Sequence, residues 1–524
     1  MPAEAGTRPA LDLQERLQRL NQIGVALSVE RDLTVLLERI LLEARGFTGA
    51  DAGTLFLVSG DHLTFAIAQN DTLRSFVGGR YGQANIPPVP INRDSVSGYA
   101  ATTGEMLNIS DVYDPEWQRF EGPRNYDRMT GYRTRSMLVV PLRDHEGQVI
   151  GVLQLLNAVD PQTRQVGPFA ADVVALIQSL ASQAAVAITN VRLIRDTEAL
   201  FESFVRVMAT AIDERSPYTG GHIRRVAEMA HVVAEAVNRC AAGPLADVVF
   251  AADELNELRV ASWMHDIGKI TTPEWVVDKP TKLTTIHDRI ELLRARYVGF
   301  MQAARVQALE QQLGGADPQA VAAACATEIE RLHDELAFLE KANNPGEFMV
   351  DADLERLRQI AARTYMVDGQ PVPSLSPDEL LNLSIRKGSL TDAERRKISD
   401  HASMTIRMLE QIPFTRKLRR VPEIAGAHHE KLDGTGYPQG LRGDQISLQA
   451  RILALVDIFE SLSADDRPYR AEPMSREMVL GILKKEVDAH HLDADLHALF
   501  VDQQLYRELD RIKAQMVLER QQRS

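Results

Sequence analysis

The stretch that decides the fold is His428-His429-Glu430-Lys431-Leu432-Asp433-Gly434-Thr435-Gly436-Tyr437-Pro438. Two adjacent histidines come first, and a turn rich in glycine and ending in proline follows them. Far upstream lies a second packet, His265-Asp266-Ile267-Gly268-Lys269. Imidazole and carboxylate groups gathered from distant segments are the ligands that metal-dependent hydrolases use. The sequence therefore predicts a domain in which these two motifs lie close together and form a metal site.

The composition is that of an ordinary globular protein. The chain has 524 residues, of which 44% are hydrophobic and 25% are charged, and the length is enough for roughly three domains. The net charge of −14 argues against nucleic acid as the main partner. Cys240 and Cys325 lack the spacing of a metal site or of a disulfide framework. With no apolar signal core and no stretch near the roughly 18 apolar residues of a membrane span, we expect a cytoplasmic protein that binds no membrane.

The first third of the chain changes from helical to extended patterns and back. Apolar residues recur at helical spacing over 11–48. Short turns such as Gly60-Asp61 and His145-Glu146-Gly147 then separate runs typical of strands. The predicted strands are 52–59, 62–68, 106–109, 135–143 and 148–157. This order of elements predicts a compact α+β domain with an antiparallel sheet.

A long helix is predicted from Val173 to about Arg215, because no glycine or proline interrupts the segment. Its apolar residues fit a heptad frame that only Glu198 breaks, and such a stripe is typical of a two-helix coiled coil. The alternative is that the same stripe packs on the protein's own domains, since periodicity cannot distinguish a partner from a core. The stripe consists of Val173, Ile177, Leu180, Ala184, Ala187, Val191, Ile194, Glu198, Phe201, Val205, Met208 and Ile212.

Residues 216–510 are dominated by helical patterns. Within them, two short segments about a hundred residues apart are similar in sequence. They are Lys279-Pro280-Thr281-Lys282-Leu283-Thr284 and Lys387-Gly388-Ser389-Leu390-Thr391. Helices predicted at 290–312 and 320–341 form an αα-hairpin, and a third helix is predicted at 353–363. We interpret the segment from about 285 to 385 as a helical insertion into an older domain.

Seven side chains are candidate metal ligands: His222, His265, Asp266, His401, His428, His429 and Asp457. Asp457 lies in an apolar helical segment, where a carboxylate is out of place unless it has a partner. Five imidazoles and two carboxylates exceed the needs of one four-coordinate metal and suit two metals bridged by a carboxylate. These ligand types favour Fe, Mn or Zn over Mg or Ca.

Taken together and in this order, the motifs resemble those of the HD-GYP family, a branch of the HD-domain metal-dependent phosphohydrolases. The resemblance covers residues 200–510, and the family's known activity is hydrolysis of cyclic di-GMP to the linear dinucleotide pGpG or on to GMP. The matching motifs are Tyr218-Thr219-Gly220-Gly221-His222, His265-Asp266-Ile267-Gly268-Lys269, the Lys-Pro-x-Lys-Leu-Thr stretch, His401, His428–Pro438, Gly440-Leu441, Val456-Asp457 and Arg467-Pro468-Tyr469-Arg470.

The resemblance also implies roles for individual residues. One metal would be held by His222, His265, Asp266 and Asp457. A second would be held by His401, His428 and His429, with Asp266 bridging the two ions. Asp266 and Lys269 would be the catalytic residues, and Lys269, Tyr437, Arg467 and Arg470 would bind substrate. Some family members have a further glutamate ligand where this chain has Tyr218, which favours two metals over three.

Residues 20–195 resemble a GAF domain, a sensor module for small molecules. The run Thr130-Gly131-Tyr132-Arg133-Thr134-Arg135-Ser136-Met137-Leu138-Val139-Val140-Pro141 is similar to the cyclic-nucleotide-binding branch. The motif associated with that branch is partial, because Asn157, Phe169 and Asp172 are present but Ala158 replaces its lysine. A cyclic nucleotide or another small ligand is the implied partner, and the alternative is a GAF domain that only dimerises.

The sequence thus predicts an α+β GAF sensor domain at 12–172, a connecting helix at 173–215 and an all-α HD-type domain at 216–515. The expected protein is a homodimeric, GAF-regulated phosphodiesterase for cyclic di-GMP that uses two divalent metal ions. Two alternatives are a catalytically silent scaffold that binds cyclic dinucleotides and a phosphodiesterase for another cyclic dinucleotide.

Overall fold

The computed structural model of the chain describes residues 13–82, 86–160, 163–214, 221–464 and 474–523. The chain divides into two compact units, Met1–Phe201 and Glu202–Ser524. The candidate ligand His222 and all those after it belong to the second unit.

The first unit is built on an antiparallel sheet. Its strands lie in the order β3-β2-β1-β7-β6-β5, with β4 paired to β2 and β8 paired to β7. The five predicted strands are present, and the short strands β3, β4 and β8 are additional to them. The strands are β1 (Ala50–Ser59), β2 (His62–Asn70), β3 (Ser75–Gly78), β4 (Val89–Pro90), β5 (Leu107–Ile109), β6 (Met137–Arg143), β7 (Val149–Val159) and β8 (Val166–Gly167).

Each face of this sheet has a hydrophobic core, as the period-two alternation of a strand requires. In β7, Leu153 and Leu155 face the core built with α1 (Leu13–Val29), α2 (Leu33–Thr48) and the first part of α5 (Ala171–Asp213). Val152 and Leu156 face the opposite core, together with residues from α3 (Val96–Thr103). The short helix α4 (Gly122–Thr130) completes the unit. The prediction of an α+β domain with an antiparallel sheet is confirmed.

Helix α5 settles part of the question that its heptad stripe left open. Within the first unit, the stripe residues Ile177, Leu180, Ala184 and Val191 are buried in the unit's own core. Packing on the protein itself therefore accounts for this half of the stripe. Among the described residues, α5 is also the one helix long and apolar enough to cross a membrane, and half of its most apolar window is buried inside the protein.

The second unit is mostly helical. Helix α6 packs on α7 and α15, while α13 packs on α14 and on the 3₁₀ turn Ile267–Thr271. The helices are α6 (His222–Asn238), α7 (Ala252–Met264), α8 (Glu274–Val277), α9 (Ile290–Leu313), α10 (Pro318–Asn343), α11 (Asp351–Ala361), α12 (Pro377–Leu383), α13 (Asp392–Leu409), α14 (Val421–Gly426), α15 (Leu448–Ser463), α16 (Arg476–Asp488), α17 (Ala494–Asp502) and α18 (Glu508–Arg523).

The segment interpreted as an insertion has a hydrophobic core of its own. Residues between Leu283 and Leu383 form a single buried cluster, with the α9–α10 hairpin as its largest part. The segment also contains a two-stranded hairpin of β9 (Thr364–Val367) and β10 (Gln370–Pro373). This hairpin was not predicted, so the second unit is mostly helical and not purely so.

Candidate metal centre

The seven candidate ligands come from five segments of the second unit. His222 is the first residue of α6, and His265 and Asp266 directly follow α7. His401 lies within α13, and Asp457 lies within α15. His428 and His429 follow the short helix α14. All of these side chains are buried except that of His429, which is half-buried.

A close contact at Gly268 brings the upstream packet against α13. The backbone N–H of Gly268 donates to Thr405 Oγ1 at 3.1 Å, and that hydroxyl donates to the carbonyl of His265 at 2.9 Å. A Cβ atom on Gly268 would lie 2.0 Å from the carbonyl oxygen of His401. Only glycine therefore lets the His265-Asp266 segment approach His401 this closely.

We expect Gly268→Ala to destabilise the protein by about 1–3 kcal/mol, because the extra methyl group must push α13 away. Thermal denaturation measures this change, and metal content should fall with it. Gly481→Ala is the matched control, since a Cβ atom there meets open space within α16. That change should stabilise the protein by about 0.5–1 kcal/mol. Equal stability of Gly268→Ala and wild type would contradict the close-approach explanation.

Asp266 lies between two groups of histidines. Its Oδ2 atom lies 3.3 Å from His265 Nε2 and 3.7 Å from His222 Nε2. Its Oδ1 atom lies 3.4 Å from His401 Nε2 and 4.0 Å from His428 Nε2. The two oxygens of one carboxylate thus face different groups, which is the geometry a bridging ligand needs.

The donor atoms gather into two neighbouring sets. Ligand atoms of His222, His265 and Asp266 lie within 4.8 Å of one another. The same holds for His401, His428 and His429. Asp457 joins the first set, with its Oδ1 atom 3.2 Å from His222 Nε2, and it also groups with His265 and His428. The two sets are therefore neighbours, because Asp457 groups with a histidine from each of them.

Backbone carbonyl groups fix the orientation of three imidazoles. The Nδ1 atom of His265 donates to Ser262 O at 2.8 Å, and that of His428 donates to Ala425 O at 2.6 Å. His401 makes the same contact with the carbonyl of Ile398. Because a carbonyl group only accepts hydrogen bonds, each Nδ1 carries a proton, and Nε2 is the nitrogen that can bind metal in the neutral imidazole.

The electrostatic balance differs between the two sets. Burial alone would lower the pKa of His222, but the charges of Glu460 and Asp457 outweigh it and raise that pKa to about 9. In the same way, Asp266 and Asp457 raise the pKa of His265 to about 10 against the effect of burial. Burial lowers the pKa of His429 to about 4, and it lowers the pKa values of His401 and His428 as well.

Two buried atoms at the centre have no hydrogen-bond partner among the described residues. They are His265 Nε2 and Asp266 Oδ1. Leaving such atoms unpaired in the protein interior is costly, unless something else binds them. Nitrogen and oxygen donors of this kind are what borderline divalent metals accept. The residues present therefore fit a metal site.

Two of the residues predicted to act on substrate, Lys269 and Tyr437, lie beside this centre. Lys269 Nζ lies 2.6 Å from Asp266 Oδ2, and its side chain is 28% exposed. The ring of Tyr437 packs against that of His429, with 4.8 Å between their centroids. Arg467, Arg470 and Tyr218 lie outside the described residues.

The glycine turn after His429 is organised by a buried carboxylate. Glu430 accepts hydrogen bonds from the backbone N–H groups of Gln439, Gly440 and Leu441 at 2.6, 3.2 and 2.9 Å. A Cβ atom on Gly436 would lie only 2.4 Å from the backbone nitrogen of Lys431. The turn thus needs glycine for its backbone path, and this path places Tyr437 beside His429.

Sequence reasoning missed one functional candidate, Glu460. Its buried carboxylate contacts His222 Nδ1 on one side and Arg225 Nε on the other. The signal was present, because Glu460 follows Asp457 by three residues in the same apolar helix. Two carboxylates at that spacing lie on one face of a helix, so both point toward the same neighbour.

Models of known domain families match both units of the chain. A GAF domain profile matches residues 32–188, and two HD domain profiles match residues 219–334 and 374–496. The GAF domain of a phosphoenolpyruvate-protein phosphotransferase from Coxiella burnetii is 17% identical and covers 36% of this chain and 99% of its own, with a TM-score of 0.28.

Two similar relatives come from Vibrio cholerae serotype O1. The 3'3'-cGAMP-specific phosphodiesterase 3 is 46% identical over 102 residues, which are 20% of this chain and 21% of that protein. A probable cyclic di-GMP phosphodiesterase is 35% identical over 128 residues, which are 24% of this chain and 29% of that protein. The chain therefore spans less than a third of the length of either relative.

Proposed function

We propose that this chain, which carries a GAF domain followed by HD-domain segments, is a metal-dependent phosphodiesterase for a cyclic dinucleotide. The observation that carries the proposal is the position of Asp266, whose two carboxylate oxygens face two different sets of histidines. The names of the relatives, each a phosphodiesterase for a cyclic dinucleotide, support the same substrate class.

The proposed ligands divide as the two sets do. His222, His265 and Asp457 would hold one ion and His401, His428 and His429 the other, with Asp266 shared between them. Divalent ions bound there would make water easier to ionise near neutral pH and would add positive charge beside the phosphate oxygens. Fe or Mn is the expected metal, and Zn also suits these ligands.

The chain's own groups would then position the phosphodiester. Lys269 lies at the edge of the centre, where its ammonium group can contact a phosphate oxygen in the transition state. Tyr437 presents a partly exposed ring against which a nucleobase or ribose can pack. Arg467 and Arg470 remain predicted substrate ligands.

Cyclic di-GMP is the first substrate candidate, because the HD-GYP motifs point to it. The second is 3'3'-cGAMP, which the 46% identical relative cleaves according to its name. The two differ in one base, so residues that contact the bases must decide between them. A silent scaffold is the remaining alternative, although all seven ligands are present.

Product chromatography tests the proposal. The purified protein is loaded anaerobically with Fe(II) or with Mn(II) and incubated separately with cyclic di-GMP and 3'3'-cGAMP. Linear dinucleotide or mononucleotide from either substrate supports the proposal, and the relative rates identify the preferred substrate. Binding of both nucleotides without turnover would instead support the silent scaffold.

Proton release should distinguish the two ligand sets. Because the pKa values of His222 and His265 are raised to about 9 and 10, both are protonated in the metal-free protein at pH 7.5. The first set should therefore release about two protons when metal binds, whereas the second set, already neutral, should release none. Calorimetric titration in buffers of different ionisation enthalpy measures this. Equal release by both sets would contradict the assigned protonation.

The same pKa shifts predict how the metal-free protein responds to pH. The folded pKa values of His222 and His265 lie above the unfolded value of about 6.5. Their protonation therefore stabilises the fold fully below that pH, and the stabilisation is lost as pH rises through about 9 and 10.

We also propose that the GAF domain regulates the enzyme through α5. This helix is continuous from Ala171 to Asp213, and the unit boundary falls within it. Glu198→Pro, at an exposed position, should interrupt the helix at a cost of about 3 kcal/mol. We expect basal turnover to change by at least about threefold while metal content stays constant, and Glu198→Ala should match wild type. Unchanged turnover in the proline variant would contradict coupling through α5.

Several further predictions belong to this proposal. They are the domain boundaries at 12–172, 173–215 and 216–515, the insertion at about 285–385, the homodimer and the cytoplasmic location. A small ligand of the GAF domain, such as a cyclic nucleotide, is part of the same proposal.

A further inference from the structure

His222 is oriented differently from the other histidines of the centre. His265, His401 and His428 each donate from Nδ1 to the carbonyl three residues earlier. His222 is the first residue of α6, so its own helix has no preceding turn to supply such a carbonyl. Another acceptor must hold its Nδ1 if Nε2 is to face the ligand set.

Glu460 supplies that acceptor. Its carboxylate contacts His222 Nδ1 through Oε2 and Arg225 Nε through Oε1. Glu460 is 0% exposed, and the Arg225 side chain is 12% exposed. Glu460 thus forms an ion pair with Arg225, which supplies the opposite charge that a buried carboxylate needs.

Two residues of α6 and two residues of α15 form this set of contacts. His222 and Arg225 lie three residues apart on α6, and Asp457 and Glu460 lie three residues apart on α15. Each pair therefore occupies one face of its helix. Asp457 Oδ1 lies 3.2 Å from His222 Nε2, and Glu460 contacts Nδ1 of the same ring. Helix α15 therefore supplies a carboxylate to each ring nitrogen of His222.

We infer that Glu460 is a positioning residue that holds His222 as an Nε2 ligand and makes one of the two metal sites tighter than the other. This inference rests on the proposed metal centre. A carboxylate on Nδ1 makes the imidazole a stronger donor than a carbonyl does, and its charge adds to that of Asp457 and Asp266. In the second set, the Nδ1 atoms of His401 and His428 each contact a backbone carbonyl instead of a carboxylate.

Replacing Glu460 by glutamine separates the effect of its charge from the effect of its shape. In the Glu460→Gln variant, the new amide would fill the same space as the carboxylate and could still accept a hydrogen bond from Nδ1, but it carries no charge. Loss of the charge alone should weaken the first site, since such outer partners typically contribute 10- to 100-fold to metal affinity. A merely structural ion pair between Glu460 and Arg225 would instead affect folding and leave the ratio of the two affinities unchanged.

Competition with a chromophoric chelator tests this on the full-length protein with Mn(II) and with Zn(II). Wild type should bind two ions with different affinities, and Glu460→Gln should weaken the tighter one by about 10- to 100-fold while sparing the other. Glu519→Gln is the control, because Glu519 forms an ion pair at 2.8 Å with Arg224, which lies on the same helix as His222. The contact of His222 Nδ1 is with Glu460 and not with Glu519. Circular dichroism and thermal denaturation verify that each variant is folded.

The outcomes are distinct. Two unchanged affinities in folded Glu460→Gln would overturn the inference, as would equal weakening of both sites. Absence of metal binding by wild type would instead overturn the proposed function. If Glu460→Gln fails to fold, Arg225→Lys keeps a cation beside Glu460 but changes its hydrogen bond, and the tighter affinity should then shift alone. A shift of both affinities, or of neither, in that variant would also overturn the inference.

Discussion

Replacing Asp266 by asparagine should reduce turnover of the cyclic dinucleotide by about 10³-fold or more, which corresponds to about 4 kcal/mol of transition-state stabilisation. Asp266 is 2% exposed, and its pKa is held well below the usual range because the charges of Lys269 and His265 outweigh burial. It is therefore an anion with one oxygen toward each ligand set. An amide at this position offers one weaker oxygen donor and no charge, so it cannot bridge two cations.

Steady-state kinetics and metal analysis measure this effect together. Asp253→Asn is a suitable control, because Asp253 lies on α7, the helix that directly precedes His265 and Asp266. Its carboxylate forms a surface ion pair with Lys417 at 2.6 Å. Such a pair is worth roughly 0–1 kcal/mol. The control should keep full activity and two metal ions, whereas Asp266→Asn should lose both. Turnover within tenfold of wild type in Asp266→Asn would contradict a bridging role.

Replacing Lys269 by methionine should lower kcat/KM by about 100-fold while leaving the metal content unchanged. The Lys269 ammonium group lies 2.6 Å from Asp266 Oδ2 and is partly exposed, at the border between the ligands and solvent. A cation there stabilises charge that grows on phosphate in the transition state, and methionine keeps the bulk without the charge. The loss should therefore appear mainly in kcat.

Lys417→Met is the matched control, since it removes a lysine from an exposed ion pair on the same unit. It should leave both kinetic parameters within about twofold of wild type, as a surface pair contributes little. If Lys269→Met loses metal, the residue acts on the ligands and not on the substrate. If kcat/KM is unchanged, the assignment of Lys269 to phosphate is wrong.

Much of the fold followed from local patterns. The five main strands of the first unit are rich in apolar residues, and short turns such as Gly60-Asp61 and His145-Glu146-Gly147 separate several of them, so their extent was visible in the sequence. The β9–β10 hairpin was missed because its two strands have four residues each and contain two prolines. Such segments carry almost no periodic signal.

The heptad stripe of α5 shows where periodicity stops being informative. From Ile177 to Val191 its residues are buried in the first unit's own core, although the same spacing would suit a coiled coil. A dimer through this part of α5 would have to use the opposite face, where Val186, Leu193 and Leu200 are exposed. The homodimer remains a prediction.

The seven candidate ligands could be predicted residue by residue because each lies in a recognisable motif. What local sequence could not provide is the convergence of five segments, which depends on contacts such as the approach of Gly268 to His401. Glu460 was missed for a related reason. Its spacing from Asp457 was visible in the sequence, but its contact with His222 depends on the packing of α6 against α15.

Anomalous diffraction from crystals of the Mn- or Fe-loaded protein tests the central claim most directly. We expect two peaks about 3.5–4 Å apart, one beside His222, His265 and Asp457, the other beside His401, His428 and His429, with Asp266 between them. A single peak, or two peaks that do not share Asp266, would contradict it.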